Sequence, residues 1–238
     1  MSGRFLLVLA ISFFLGGCGG DDNDSNEAAT TPVQPLTVPL STAMASLAAN
    51  GLTASFSISG TVENVPVSGS GTLTATPFVA TSLNNTSVLR TTETVSGTVV
   101  ANGNSMPFSN TRTISRNTVT YAVMVIDEGD AFVVFADYTI PPTVKAGDSG
   151  PLASATIYSD STQATKVGTL TESYSVAADT GSSLLLTLLD KVFDNSNARI
   201  AEDETIFRID TSGNISFVSS RSTMFNINGQ SLGTLVFQ

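Results

Sequence analysis

Apolar and hydroxyl-bearing residues alternate along this chain from Leu52 onward, and this pattern constrains the fold more than any other feature. In the first alternating run, Phe56, Ile58, Gly60 and Val62 alternate with Ser55, Ser57, Ser59 and Thr61. Successive side chains of a β-strand point to opposite faces, so the run predicts a strand with one face toward a core. The segments 119–126 and 132–138 are apolar on both faces, which is typical of central strands covered on both sides.

Short turn signals separate the predicted strands. In chain order they are Asn102-Gly103, Asp127-Glu128-Gly129-Asp130, Asn195-Ser196-Asn197, Ser212-Gly213-Asn214 and Asn228-Gly229. Residues of these types favour tight reversals of the backbone. Toward the C-terminus we predict strands at 183–193, 198–209, 214–225 and 231–237. Because the links are short and hold no helical crossovers, we predict an all-β fold, an antiparallel meander of about 10–12 strands forming a barrel or a sandwich.

One short helix is predicted before the first strand. Ser41 stands where a hydroxyl can cap the first free N–H groups, the interior is rich in alanine, and Asn50-Gly51 can end the helix. A helix over 41–50 has only about two to three turns and is marginal alone. We therefore expect it to dock on the β domain.

The composition excludes several classes of function. Charged residues make up 13% of the 238 residues, against about 25% in a typical globular protein, so Ser, Thr, Asn and Gly must cover the surface. The formal net charge of −10 gives no basic patch for nucleic acid. There is no histidine and only one cysteine, Cys18. Disulfides within the chain, Cys/His zinc sites and imidazole catalysis are therefore excluded.

The N-terminal segment has the features of an export signal. Arg4 is followed by an apolar run from Phe5 to Leu15, which is too short to span a bilayer and has the length of a signal-peptide core. Leu15-Gly16-Gly17-Cys18 then resembles the lipobox of bacterial lipoproteins. The resemblance implies that Cys18 is lipidated (the palmitate type of modification) and becomes the mature N-terminus. It also implies attachment to a membrane by at least two acyl chains, which anchor stably.

The domain boundaries follow from this resemblance and from composition. We assign 1–17 to the lipoprotein signal peptide, 18–39 to the lipidated cysteine and a disordered polar tether, and 40–238 to a single β domain. A division into two β halves near 141–153 is the alternative. The acidic tract after Cys18 superficially suggests a calcium loop, but it lacks the required glycine and closing glutamate. Gly19 after the cysteine, rather than Asp, implies the outer membrane, facing the periplasm or the cell surface.

One motif is similar to a known catalytic loop. Gly147-Asp148-Ser149-Gly150-Pro151 resembles the nucleophile loop of chymotrypsin-type proteases, but it is one glycine short and the chain has no histidine to activate Ser149. A Ser–Lys dyad would need Lys145, Lys166 or Lys191, and nothing in the sequence pairs them with Ser149. The interpretation we prefer is a loop.

Clustered carboxylates are the other possible source of chemistry. Asp127, Glu128 and Asp130 share one turn, and Glu202, Asp203 and Glu204 share one strand. Glycosidases use two carboxylates about 5–9 Å apart, and closely spaced oxygens at Asp127 and Asp130 are weak candidates for a calcium site. The alternative, which we prefer, is that both clusters are solvated turn and edge residues. No catalytic residue, metal or cofactor is predicted.

Two functions remain open at this point. The first is a non-enzymatic envelope lipoprotein whose β domain binds a partner or has a structural role. The second is a carrier or chaperone for lipid or another apolar ligand in a barrel cavity. Its apolar lining would come from Phe132, Phe135, Phe193, Phe207, Phe217, Phe225, Met124 and Met224, which could equally fill an ordinary core. An outer-membrane barrel is less consistent with the sequence because such strands alternate strictly and carry aromatic girdles.

Overall fold

The computed structural model describes residues 36–238. The signal peptide, Cys18 and the acidic tract that follows it therefore lie outside the described residues. One helix, α1 (Leu40–Asn50), is present. The fifteen strands are β1 (Thr37–Pro39), β2 (Leu52–Val62), β3 (Val65–Ala75), β4 (Val79–Leu83), β5 (Thr86–Ala101), β6 (Asn104–Asn117), β7 (Val123–Asp127), β8 (Phe132–Phe135), β9 (Thr143–Lys145), β10 (Ser149–Tyr158), β11 (Lys166–Ala178), β12 (Ser183–Asp194), β13 (Arg199–Asp210), β14 (Ile215–Phe225) and β15 (Ser231–Phe237).

Twelve strands form a closed antiparallel β-barrel, which confirms the all-β prediction and decides between barrel and sandwich. The barrel consists of β2, β3, β5 to β8 and β10 to β15, each paired with its neighbours in chain order. It closes because β15 pairs with β2, from Gly233 opposite Val62 to Phe237 opposite Ile58. β4 pairs with the first part of β5 outside this ring, so β3 reaches the second part of β5 directly. The segment 141–153 contains β9 and the start of β10, and the same barrel continues on both sides of it.

The two ends of the barrel differ. Six short hairpins, those of β2–β3, β5–β6, β7–β8, β10–β11, β12–β13 and β14–β15, lie at one end, which we call the hairpin end. Helix α1 packs into the other, which we call the helix end. There the backbone N–H of Phe78 donates to Ala48 O (2.8 Å), and Gly213 of the β13–β14 turn lies against α1.

The predicted helix exists and docks as expected, but its start differs from the prediction. Gly51 has φ of 69° and its N–H donates to Leu47 O (2.8 Å), so the helix ends at the predicted Asn50-Gly51. Ser41 is not the cap: α1 begins at Leu40, directly after Pro39, and no side chain caps it. The predicted tether also extended too far, to residue 39. Thr37–Pro39 pairs with β9 and Val38 is fully buried, because its apolar side chain joins the core around α1.

The strands predicted at 119–126 and 132–138 are both too long. β7 begins only at Val123 and β8 ends at Phe135, while Val119 is 81% exposed in the β6–β7 connection. An apolar run without alternation does not mark where a strand starts or stops, so these boundaries were wrong. Strand boundaries next to residues that favour tight turns were predicted correctly. Asn102 and Gly103 both have positive φ, of 51° and 74°, as a two-residue hairpin turn requires.

The barrel interior is filled rather than open. Eight strands already enclose just enough room for side chains, so twelve strands leave space for additional groups. At the helix end, Leu40, Ala43, Met44 and Leu47 of α1 occupy that space and pack in one core with Phe207 and other buried residues. Neighbouring strands also approach one another closely where glycines face each other, as at Gly71 and Gly97. A Cβ on Gly71 would lie 2.5 Å from Ser96 O and 2.7 Å from the Phe56 ring, so this close approach requires glycine.

Hydroxyl-bearing side chains cover much of the outside, as the composition predicted. On β2, the outward Ser55, Ser57 and Ser59 are exposed, and Thr94 of β5 contacts Thr111 of β6 through their hydroxyls (3.0 Å). Within residues 36–238, no helix has the length and apolar character needed to cross a membrane.

Candidate functional site

Charged side chains lie inside the barrel, on strand faces whose other inward-facing residues are mostly apolar. On β12, the inward residues Leu184, Leu186, Leu188 and Val192 share one face with Asp190. On β13, Ala201, Thr205, Phe207 and Ile209 share one face with Asp203. These acids were not predicted to lie inside the barrel. Their positions in the sequence could have shown it, because each carboxylate is an even number of residues from buried apolar residues and therefore shares their strand face.

Three of these carboxylates form a row across adjacent strands. Glu172 on β11 lies directly opposite Asp190, and Asp190 lies directly opposite Asp203. Their exposed fractions are 7%, 5% and 2%, respectively. Ser222 of β14 lies opposite Asp203 and continues the row as a polar position. We call Glu172, Asp190 and Asp203 the carboxylate row.

Two buried arginines stand on the other side of the interior. Arg112 on β6 places Nη2 2.8 Å from Glu93 Oε1 and Nη1 3.5 Å from Glu128 Oε1. Arg116 donates from Nη1 to Tyr121 O (3.1 Å), and its guanidinium carbon lies 5.6 Å from the centre of the Phe78 ring. Together with Glu93 and the carboxylate row, these arginines form what we call the interior charge cluster. It lies between the core around α1 and a smaller apolar cluster nearer the hairpin end.

Burial raises the pKa of three interior carboxyl groups, those of Glu93, Asp190 and Asp203. The pKa of Asp203 rises from 3.8 to about 7 because burial outweighs the opposing influence of Ser222 and Arg112. Burial, reinforced by Glu172 and Asp203, raises the pKa of Asp190 well above its ordinary value. The pKa of Glu93 rises from 4.5 to about 7 by burial, in spite of Arg112. Four buried carboxyl groups face two buried guanidinium groups, so bound protons are one way in which the excess negative charge is compensated.

A small cavity adjoins the interior charge cluster. It offers about 70 Å³ to the centres of water-sized molecules, whereas one water needs roughly 10–15 Å³ on this measure. Its wall is mostly apolar, with contributions from Met44 of α1 and from Leu186 and Leu188 of β12. Glu172 and Asp190 of the row also line it, together with Arg112, Arg116, Tyr138 and Tyr174. The cavity is thus a mostly apolar space that two acids and two arginines also line.

Most of the apolar residues proposed to line a lipid cavity lie elsewhere. Only Phe135 among them lines this space. Phe207 is fully buried in the core and meets Phe217 edge to face at 6.5 Å. Phe132 is also buried, and Phe225 lies against the guanidinium of Arg199 at 4.1 Å.

The two predicted carboxylate clusters each send one member toward the barrel interior, Glu128 from the turn and Asp203 from the strand. Asp127 Oδ1 accepts a hydrogen bond from the Gly129 N–H (3.0 Å), Asp130 is exposed, and Glu128 reaches inward to Arg112. On β13, Glu202 pairs with Arg199 at 2.6 Å, whereas Asp203 is buried, so the solvated-edge interpretation was wrong for Asp203. Across residues 36–238, no group of three or more His, Cys, Asp or Glu side chains is placed to hold a metal ion.

The segment that resembles a protease loop is a turn leading into a strand. Asp148 Oδ2 accepts a hydrogen bond from the Lys145 N–H (2.9 Å), and Gly147 has φ of 92°. Ser149 is exposed at the first position of β10. The loop interpretation therefore holds for Gly147 and Asp148 but is wrong for Ser149, Gly150 and Pro151, which belong to β10.

Comparison with other proteins identifies no relative of this chain. No protein-family model matches it, and no curated protein and no solved structure is significantly similar to it.

Proposed function

We propose that this chain is a lipid-anchored protein of the bacterial cell envelope. Its β-barrel has a binding or structural role and is not an enzyme. The resemblance of Leu15-Gly16-Gly17-Cys18 to a lipobox supports the anchor, and the end at which the chain enters the barrel gives the orientation. β1 leads directly into α1, which plugs the helix end, so the chain that precedes residue 36 reaches the barrel at that end. A lipid on Cys18 would hold the helix end toward the membrane.

The length of the intervening segment limits how far the barrel stands from its anchor. About 18 residues separate Cys18 from Leu36, which span at most roughly 60 Å when fully extended. The hairpin end therefore faces away from the membrane. Its tips are exposed and rich in Asn, as at Asn64, Asn102 and Asn228, and they are the surface we assign to partner contacts.

A carrier of lipid is less well supported by the cavity. Pockets that enclose drug-sized ligands measure about 300–1,000 Å³, whereas the interior space of this barrel measures about 70 Å³. An acyl chain does not fit such a space without opening the barrel. Native extraction followed by mass spectrometry tests this alternative, because a carrier would retain lipid that a structural or partner-binding protein lacks.

Lipidation and membrane attachment are tested by Cys18→Ser in the full chain. We expect the wild-type protein to incorporate a labelled fatty acid and to sediment with membranes. The variant should lose both properties while its circular dichroism after solubilisation keeps the same β signature. A wild-type protein that incorporates no fatty acid would refute the anchor.

The orientation is tested with a photo-crosslinking amino acid at Asn228, on the hairpin end, and at Gly181, on the helix end. Both positions are exposed, so neither substitution disturbs the core. We expect protein crosslinks chiefly from position 228 and lipid crosslinks chiefly from position 181. The reverse pattern would contradict the proposed orientation, and no protein crosslink from either position would count against a partner-binding role.

A further inference from the structure

The cavity contains a buried carboxylate oxygen that lacks a hydrogen-bond partner. Asp190 is 5% exposed, its side chain lines the cavity, and its Oδ1 contacts no donor among the described residues. An unpartnered buried oxygen of this kind is costly. A proton or a bound donor can remove that cost, and the cavity provides room for the donor.

The pairing of the charged groups at the cavity points to Asp190 as the position for a cation. Two acids, Glu172 and Asp190, and two arginines, Arg112 and Arg116, line the cavity. Arg112 is already in contact with Glu93 and Glu128, and Arg116 donates from Nη1 to Tyr121 O, although its Nε has no partner within residues 36–238. Since like charges repel, an ammonium group in this cavity would lie against Asp190 rather than against the guanidinium groups. Glu172, which lies opposite Asp190 in the row, is the second acid at the cavity.

The cavity wall determines what kind of cation fits. A metal ion would need several oxygen ligands, and no suitable cluster of three acidic side chains exists within residues 36–238. An ammonium group instead offers directed N–H donors to a single carboxylate. Met44, Leu186 and Leu188 provide an aliphatic surface beside Asp190, along which a short alkyl chain can pack.

We propose that the cavity binds a short primary alkylammonium ion, with its ammonium group on Asp190 and its alkyl chain against the aliphatic wall. The volume limits its length. An engineered cavity of about 150 Å³ holds the six carbons of benzene, so about 70 Å³ accommodates roughly three non-hydrogen atoms. Ethylammonium meets this limit. The proposal concerns the barrel interior and does not depend on whether Cys18 is lipidated.

Binding would exchange a proton for the cation. The protonated Asp190 carboxyl releases its proton to the buffer, and the resulting carboxylate pairs with the alkylammonium ion, which keeps all its own protons. Near neutral pH the binding heat should therefore vary with the ionisation enthalpy of the buffer. This dependence should weaken as the pH rises, because a larger fraction of the Asp190 carboxyl groups is then already ionised.

The test uses full-length protein in detergent and compares ethylammonium chloride with ethanol and with sodium chloride at equal ionic strength. Ethanol has the same number of non-hydrogen atoms but no charge. We expect ethylammonium alone to raise the thermal unfolding midpoint. Asp190→Asn should weaken ethylammonium binding by more than about tenfold, because the neutral amide removes the buried charge. Glu204→Gln, on the outward face of the neighbouring strand, is the matched control and should bind like the wild type.

Four results would overturn the proposal. An equal effect of ethanol would mean that the cavity selects for an apolar group alone. An equal effect of sodium would mean that ionic strength or a metal ion acts instead. Unchanged ethylammonium binding in Asp190→Asn, or no binding to the wild-type protein, would exclude Asp190 as the site. Asn has nearly the shape of Asp, so we expect the variant to fold. Circular dichroism checks this and separates a loss of binding from a failure to fold.

Discussion

Replacing Asp203 with Asn should stabilise the barrel at alkaline pH and have little effect in acid. Burial raises the pKa of Asp203 from 3.8 to about 7, so the folded state holds the proton more tightly than the unfolded state does. Below about pH 4 the group is protonated in both states, and its contribution to the stability of the folded protein is then at its maximum. That contribution is lost as the pH rises through about 7, because ionisation then costs more in the folded state.

The size of the effect follows from the difference between the two pKa values of Asp203. The difference between 3.8 and about 7 corresponds to about 4 kcal/mol, at about 1.4 kcal/mol per pKa unit. Asn stays neutral at every pH and escapes this cost. We therefore expect Asp203→Asn to exceed the wild type in free energy of unfolding by up to about 4 kcal/mol near pH 9, and by less than about 1 kcal/mol near pH 3.5.

Urea unfolding of the full chain at several pH values measures this difference. The chain contains four Tyr and no Trp, so far-ultraviolet circular dichroism and tyrosine fluorescence are the suitable probes. Asp130→Asn, in an exposed turn, is the matched control and should show no comparable dependence on pH. A constant difference between Asp203→Asn and the wild type at all pH values would refute the reasoning, because the effect would then not arise from ionisation.

Three further predictions concern packing and turns, and each is measured by urea unfolding. Phe207→Ala removes a fully buried ring and should cost about 3–5 kcal/mol; a loss below about 1 kcal/mol would contradict the packed core. Gly71→Ala places a methyl group against Ser96 O and Phe56 and should cost about 1–3 kcal/mol, whereas Gly150→Ala, whose new Cβ would have its nearest contact at 3.7 Å, should be nearly neutral. Asp210→Ala removes the acceptor of the Ser212 and Asn214 backbone N–H groups (2.8 and 2.9 Å) and should cost about 1–2 kcal/mol; no loss would mean that water replaces the carboxylate fully.

Local pattern predicted the elements best where alternation and turn residues coincided. β15 was predicted at 231–237 and is observed at Ser231–Phe237, directly after the Asn228-Gly229 turn. The end of α1 was equally well marked by Asn50-Gly51. In contrast, β7 and β8 lie in uniformly apolar sequence, which carries no period to locate their ends.

The candidate site was harder to predict than the elements. Asp203 stands between Glu202 and Glu204, and three consecutive acids resemble a solvated edge. Only the strand register separates them, with Glu202 and Glu204 facing outward and Asp203 facing inward. Asp190 and Glu172 come from other strands, and nothing in the local sequence indicates that they meet Asp203.

The sequence by itself determined the all-β class, the antiparallel meander, the docking helix and the hydroxyl-rich exterior. These properties depend on the period of the side chains and on turn chemistry, which act over a few residues. The tertiary structure decided that the sheet closes, through pairing of β15 with β2 and of β3 with β5. Closure also gathered the interior charge cluster around the cavity. Contacts between residues far apart in the chain depend on the register of the entire barrel, and no local pattern encodes that register.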